Sequence, residues 1–243
     1  MNDLFEGYVG IRLWDGQVLN DLLFTLIFFA LLLFALAFRF NYRAFLTMLK
    51  DVFYLKERQS LFEKRVVPDS YFRFFMILQT LFLCSLFLFS YFYSKNYLTF
   101  DLTGKNILLC IGGVFGVVVL FFFFKWLLYA ITGVIFSDVQ KYRLWQNSYI
   151  AIMGTWGILL YIPVVWLSLW GKYPIVPIVL FVISYFLCRF AIIVKTLRIF
   201  HKKNTGLLYI SLYLCAQEIL PLVFLYEGMV YLYNFIKTST LWH

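Results

Sequence analysis

Residues 206–236 read GLLYISLYLCAQEILPLVFLYEGMVYLYNFI. The stretch is apolar and longer than the ~20 residues a helix needs to cross a bilayer. Glu218, Pro221 and Glu227 stand inside it. An ionised carboxylate near the bilayer centre costs roughly 3 kcal/mol or more, so Glu218 is expected to face protein or water and to have a partner. Pro221 has no N–H, which leaves the Gln217 carbonyl without its usual donor and predicts a helix kink. Such a segment needs other apolar elements around it.

The remainder of the chain supplies them. Hydrophobic residues make up 63% of the sequence, against ~45–50% in soluble domains. A soluble fold with this composition would have to expose large apolar patches. Apolar runs at 19–40, 73–94, 106–136, 148–170 and 174–194 join 206–236 as six predicted transmembrane helices. The expected fold class is therefore all-α: a polytopic membrane protein forming one membrane domain over residues 1–243. The third run would extend ~46 Å as a helix, so it must tilt, protrude or break. Its Gly112, Gly113 and Gly116 predict close helix contact. In the fourth run, Gly154, Gly157 and Pro163 are expected bend points.

Residues 41–72 are the long connection. Phe45, Leu49, Val52 and Phe53 fall near helical spacing, with Lys50 and Lys56 elsewhere on the wheel. This predicts an amphipathic segment at the membrane surface, closed before Pro68. An ordinary solvated basic loop is the alternative. Lys50, Lys56, Arg58, Lys64 and Arg65 are the residues expected to contact anionic lipid or a protein partner.

The net charge of +9 would suggest nucleic acid on a soluble protein. Here the basic residues sit between apolar runs, where orientation and anionic lipid account for them, and no nucleic-acid partner is expected. With the N-terminus outside and six crossings, the inner segments hold Arg39, Arg43, Lys50, Lys56, Arg58, Lys64, Arg65, Arg73, Lys141, Arg143, Lys195, Arg198, Lys202 and Lys203. The outer segments hold only Arg12, Lys95, Lys105, Lys172 and Lys237. That asymmetry predicts both termini in the periplasm, with 1–18 as a short periplasmic tail and 41–72 cytoplasmic. The acidic N-terminus, with basic residues only after the first run, predicts a retained first helix rather than a cleaved signal.

Catalytic patterns are missing from the sequence. There is no HExxH, CxxC, GxxxxGK[ST] or GxSxG. Cys84, Cys110, Cys188 and Cys215 lie in separate apolar runs and read as packing residues, so neither a metal nor another cofactor is expected. Glu218 and Glu227 are ~13 Å apart on a straight helix, too far for one reacting centre. Two basic residues, Lys125 and Arg189, also fall within spans. Either could pair with Glu218, with Arg189 as the first candidate and Lys125 as the second. A structural ion pair and a proton pathway through Glu218 are the two readings of these charges.

The run Tyr213-Leu-Cys-Ala-Gln-Glu-Ile-Leu-Pro-Leu222, the basic stretch before it and the basic first loop resemble a family of Bacteroidota inner-membrane proteins, a domain of unknown function. The resemblance implies a bacterial inner membrane and a setting near membrane-protein biogenesis. Two functions are expected to compete. One is a non-enzymatic accessory or scaffold subunit of an inner-membrane assembly, serving protein export or membrane-protein insertion. The other is a small proton-coupled transporter or channel using Glu218.

Overall fold

A computed structural model of the chain describes residues 17–53, 67–95, 104–136, 139–169 and 174–200, with 221, 223, 224, 226–228, 230, 231 and 234. Every regular element among them is an α-helix: α1 (Gln17–Phe40), α2 (Tyr42–Phe53), α3 (Val67–Ser94), α4 (Gly104–Phe136), α5 (Val139–Leu169) and α6 (Ile175–Phe200). All but α2 are long and apolar enough to cross a membrane. The chain is an all-α polytopic membrane protein. The sixth predicted span falls largely outside the described residues. Those of its positions that are described, from Pro221 to Asn234, are helical.

Local chemistry explains where the helices start and stop. Asn41 is the single non-helical residue between α1 and α2. Its N–H and its side-chain amide both donate to the Ala37 carbonyl, and its own carbonyl accepts from Phe45. Its side-chain amide thus closes α1 while its backbone carbonyl opens α2. α2 closes at Phe53, before Pro68 as the sequence predicts, and Pro68 stands in the first turn of the next helix. It is the second residue of α3, where a missing N–H costs nothing. α4 runs unbroken through Lys125. α5 starts at Val139, well before the predicted 148, and α6 extends beyond 194 to Phe200.

α3, α5 and α6 form the centre of the bundle, with α5 packed between the other two. The contacts fix their directions. Arg73 meets Asn147, and Ser90 meets Ser168, so α3 and α5 run parallel. Trp145 meets Thr196 and Trp156 meets Ser184, so α6 runs antiparallel to α5. Phe122 lies against Tyr149 and Tyr129 against Trp145, placing α4 antiparallel to α5. This alternation is what successive membrane crossings require.

Helix association in lipid relies on close packing and interhelical hydrogen bonds, because lipid tails are as apolar as leucine. The α3–α5 interface shows both. A Cβ on Gly157 would fall 3.0 Å from the Thr80 Cβ and 3.3 Å from its Cα. A Cβ on Gly154 would come within 3.1 Å of Met48 and Met76. These two glycines are therefore points of close approach within the single continuous helix α5. The Thr80 hydroxyl reaches its own helix at the Met76 carbonyl (2.7 Å) and crosses to the Met153 carbonyl (3.2 Å). Phe87 and Phe181 stack at 4.1 Å between α3 and α6.

The glycines of α4 behave in the opposite way. A Cβ at Gly112, Gly113 or Gly116 would meet nothing within 4 Å, so the predicted close contact is absent among the described residues. Leu108, Leu109, Leu120 and Phe123 are exposed along the same helix. α1 is likewise peripheral, burying Leu19, Leu23, Ile27 and Ala30 and exposing Phe24, Phe28 and Phe29. In a bilayer these exposed side chains face lipid.

Candidate functional site

Two places gather charge. The first lies where α2, the start of α3, the start of α5 and the end of α6 meet. The amphipathic expectation for this part of the loop is met by α2. Ala44 and Met48 are buried and Val52 is half-buried, while Arg43, Leu46, Thr47 and Lys50 are exposed. The buried face is turned from the predicted one, because it packs on α3 and α5 as well as on the end of α1. Phe45 meets Phe72 edge-on at 6.5 Å and Phe38 at 5.0 Å.

Asp51 secures this arrangement. Its carboxylate accepts from the Arg73 guanidinium at 2.6 Å. Its backbone carbonyl, one of the last four that an α-helix leaves without an internal donor, accepts from the Lys195 ammonium. The lysine also places positive charge at the negative end of the α2 dipole. Arg73 reaches on to the Asn147 carbonyl at 3.4 Å. One acidic residue thus ties α2 to α3 and α6, with α5 linked through Arg73. Sequence reasoning missed this role. The sole usable signal was that Asp51 is the single acid in the α2 sequence. Of the predicted contact residues here, Lys50 is exposed at the end of α2. Lys56, Arg58, Lys64 and Arg65 lie outside the described residues.

The second place is inside the bundle. Lys125 of α4 is 1% exposed and Arg189 of α6 is 7% exposed. Phe122 and Tyr129 bracket Lys125 on α4 and both contact Tyr149. Cys188 meets Met153 at 4.0 Å, one turn further along α5. The two basic residues therefore flank α5 at similar levels, in the half of the bundle nearer α2. The Lys125 ammonium lies 6.0 Å from the Phe121 ring centre, and the Arg189 guanidinium lies 5.0 Å from that of Tyr185. Aromatic faces favour cations at such distances.

Glu218, the expected partner of these cations, lies outside the described residues. Pro221, the expected kink, is helical and buried, and Glu227 is exposed. Phe224 packs edge-on against Phe124 at 5.6 Å. The final helical stretch therefore touches α4 beside Lys125. The expected pairing of Glu218 with Arg189 or Lys125 thus falls outside the described residues. A partly buried hydrogen bond from Gln79 to Tyr161 and the buried Ser90–Ser168 contact add polar links between α3 and α5. Tyr161 also lines an apolar groove, open to the outside, with Val165 and Trp166. No group of three or more His, Cys, Asp or Glu residues among the described residues is placed to hold a metal ion.

The succession of packed apolar helices, with an amphipathic helix clamped to one end, can be set against known proteins. Residues 23–229 match the family described as a domain of unknown function, DUF4271. The chain belongs to that family. Its matched range begins early in α1 and ends in the final stretch, so the family unit takes in α2 and both charged places. No curated protein and no solved structure matches the chain.

Proposed function

We propose that the chain is a non-enzymatic accessory or scaffold subunit of a bacterial inner-membrane assembly, of the kind serving protein export or membrane-protein insertion. The observation that carries this reading is the clamped α2. A helix tied down through Asp51, Arg73 and Lys195 holds the start of the basic segment at a fixed place on the bundle. Basic side chains gather around it, with Arg39, Arg43, Lys50, Arg143 and Arg198 exposed at this end. By the positive-inside rule this end is cytoplasmic, and the N-terminus and C-terminus are periplasmic. The exposed apolar faces of α1 and α4 supply surface for other membrane helices.

The intramembrane cations favour a second reading, a small proton-coupled transporter or channel using Glu218. Ionisable residues within spans mark ion paths as well as structural pairs. Affinity purification from native membranes separates the two. The accessory-subunit reading predicts stoichiometric co-purifying membrane proteins, lost when Lys56, Arg58, Lys64 and Arg65 are replaced together by glutamine. Purification of the chain alone at all detergent strengths would contradict it. In the transporter reading, Glu218→Gln leaves folding and yield intact and abolishes proton flux in liposomes.

A further inference from the structure

The elbow between α1 and α2 has an outer face that the scaffold reading does not use. Arg39 and Phe40 end α1, and Tyr42 opens α2, all exposed. Arg43, Leu46 and Lys50 continue along one side of α2 at positions i, i+3 and i+7, so they form a single outward stripe. Phe40 is 77% exposed and Tyr42 52%. Tyr42 is steadied by edge-on contact with Phe38 at 5.5 Å. The opposite side of the same helix is filled by Met48, which is 0% exposed, and Ala44. α2 therefore has one face packed in the bundle and one face carrying cations interleaved with apolar and aromatic side chains.

The acid of α2 does not weaken that outer face. Asp51 is drawn to Arg73 on the bundle side, so the stripe carries only positive charge. The face is also continuous with the lipid-facing side of α1, whose Leu36 and Leu33 are exposed one and two turns earlier. A surface at the end of a membrane span, with apolar side chains beside cations, matches the boundary between acyl chains and headgroups. Aromatic residues favour the same depth.

We propose that the α1–α2 elbow is a binding surface for anionic phospholipid, with Arg39, Arg43 and Lys50 on headgroup phosphates and Phe40, Tyr42 and Leu46 among the upper acyl carbons. The clamp through Asp51 preorganises it, because α2 need not fold on binding. Each basic residue near an anionic surface adds an attraction equivalent to about a fivefold gain in affinity. The three together give about a hundredfold preference for anionic over zwitterionic lipid.

The test uses the whole purified chain in detergent, titrated with phosphatidylglycerol or phosphatidylcholine of the same acyl chains and read by native mass spectrometry. The expected result is preferential retention of phosphatidylglycerol by the wild type. Arg39→Gln, Arg43→Gln and Lys50→Gln combined should bring the two lipids to equal retention. Lys95→Gln with Lys105→Gln, at the opposite end, should leave the preference unchanged. The exchanges Arg43→Lys and Lys50→Arg should retain it, which separates charge from helix integrity. Equal retention of both lipids by the wild type would overturn the proposal. So would a preference that survives the triple substitution, or one lost in the opposite-end control. The protein is alone in this experiment, so its outcome is independent of whether a protein partner is recovered from native membranes.

Discussion

Gly157 and Gly112 are both glycines in membrane helices, and their surroundings make opposite demands. At Gly157 an added Cβ meets the side chain and backbone of Thr80 on α3, and neither can withdraw without opening the central helix pair. Gly157→Ala should cost ~1–3 kcal/mol, the usual range for overpacking. Gly112→Ala meets open space and should leave stability unchanged within ~0.5 kcal/mol. Thermal unfolding of the two variants in the same detergent provides the comparison. Asp51 gives a second expectation. Its pair with Arg73 is partly exposed, with side chains 27% and 16% accessible, so solvent screens part of the attraction. Asp51→Asn should cost ~1 kcal/mol, and the difference from wild type should shrink in ~1 M salt. A cost that is the same at low and high salt would mean that the side chain acts through packing.

At the scale of the helix, the apolar runs were legible and their ends were not. A run-length reading places the start of the fourth span at 148, because Gln140, Lys141, Arg143 and Gln146 interrupt the apolar pattern. The helix begins at Val139 because Trp145 and Tyr149 sit one turn apart and pack on Tyr129 of α4. Tertiary contact prolongs α5 beyond its apolar core. Pro68 lies in the first turn of α3, where proline is tolerated, so α3 starts ahead of the predicted 73. The amphipathic character of α2 was visible, whereas the rotation of its buried face was not. That face is set by Met48 fitting against Gly154, two residues more than a hundred positions apart. The Asp51 clamp was hidden likewise, since its partners come from α3 and α6. The intramembrane cations were plain from sequence, and Lys125 and Arg189 are both buried in the bundle. The contact of Phe224 with Phe124 joins the final stretch to α4, and no periodicity announces it.

The whole molecule has two unlike ends. Arg39, Arg43, Lys50, Arg73, Arg143, Lys195 and Arg198 fall at the end that carries α2, and among the described residues the opposite end has Lys95 and Lys105. The alternating helix directions are consistent with this division, since α3 and α5 run parallel while α4 and α6 oppose α5. The proposed role depends on the basic end facing the cytoplasm, where export and insertion factors and the headgroups of the inner leaflet would meet it. Paired reporter fusions test that most directly, with a periplasm-active enzyme and a cytoplasm-active fluorescent protein placed in turn after residues 60 and 100. The account predicts fluorescence without enzyme activity at 60, and enzyme activity without fluorescence at 100. The same side for both positions, or the reverse assignment, would contradict it.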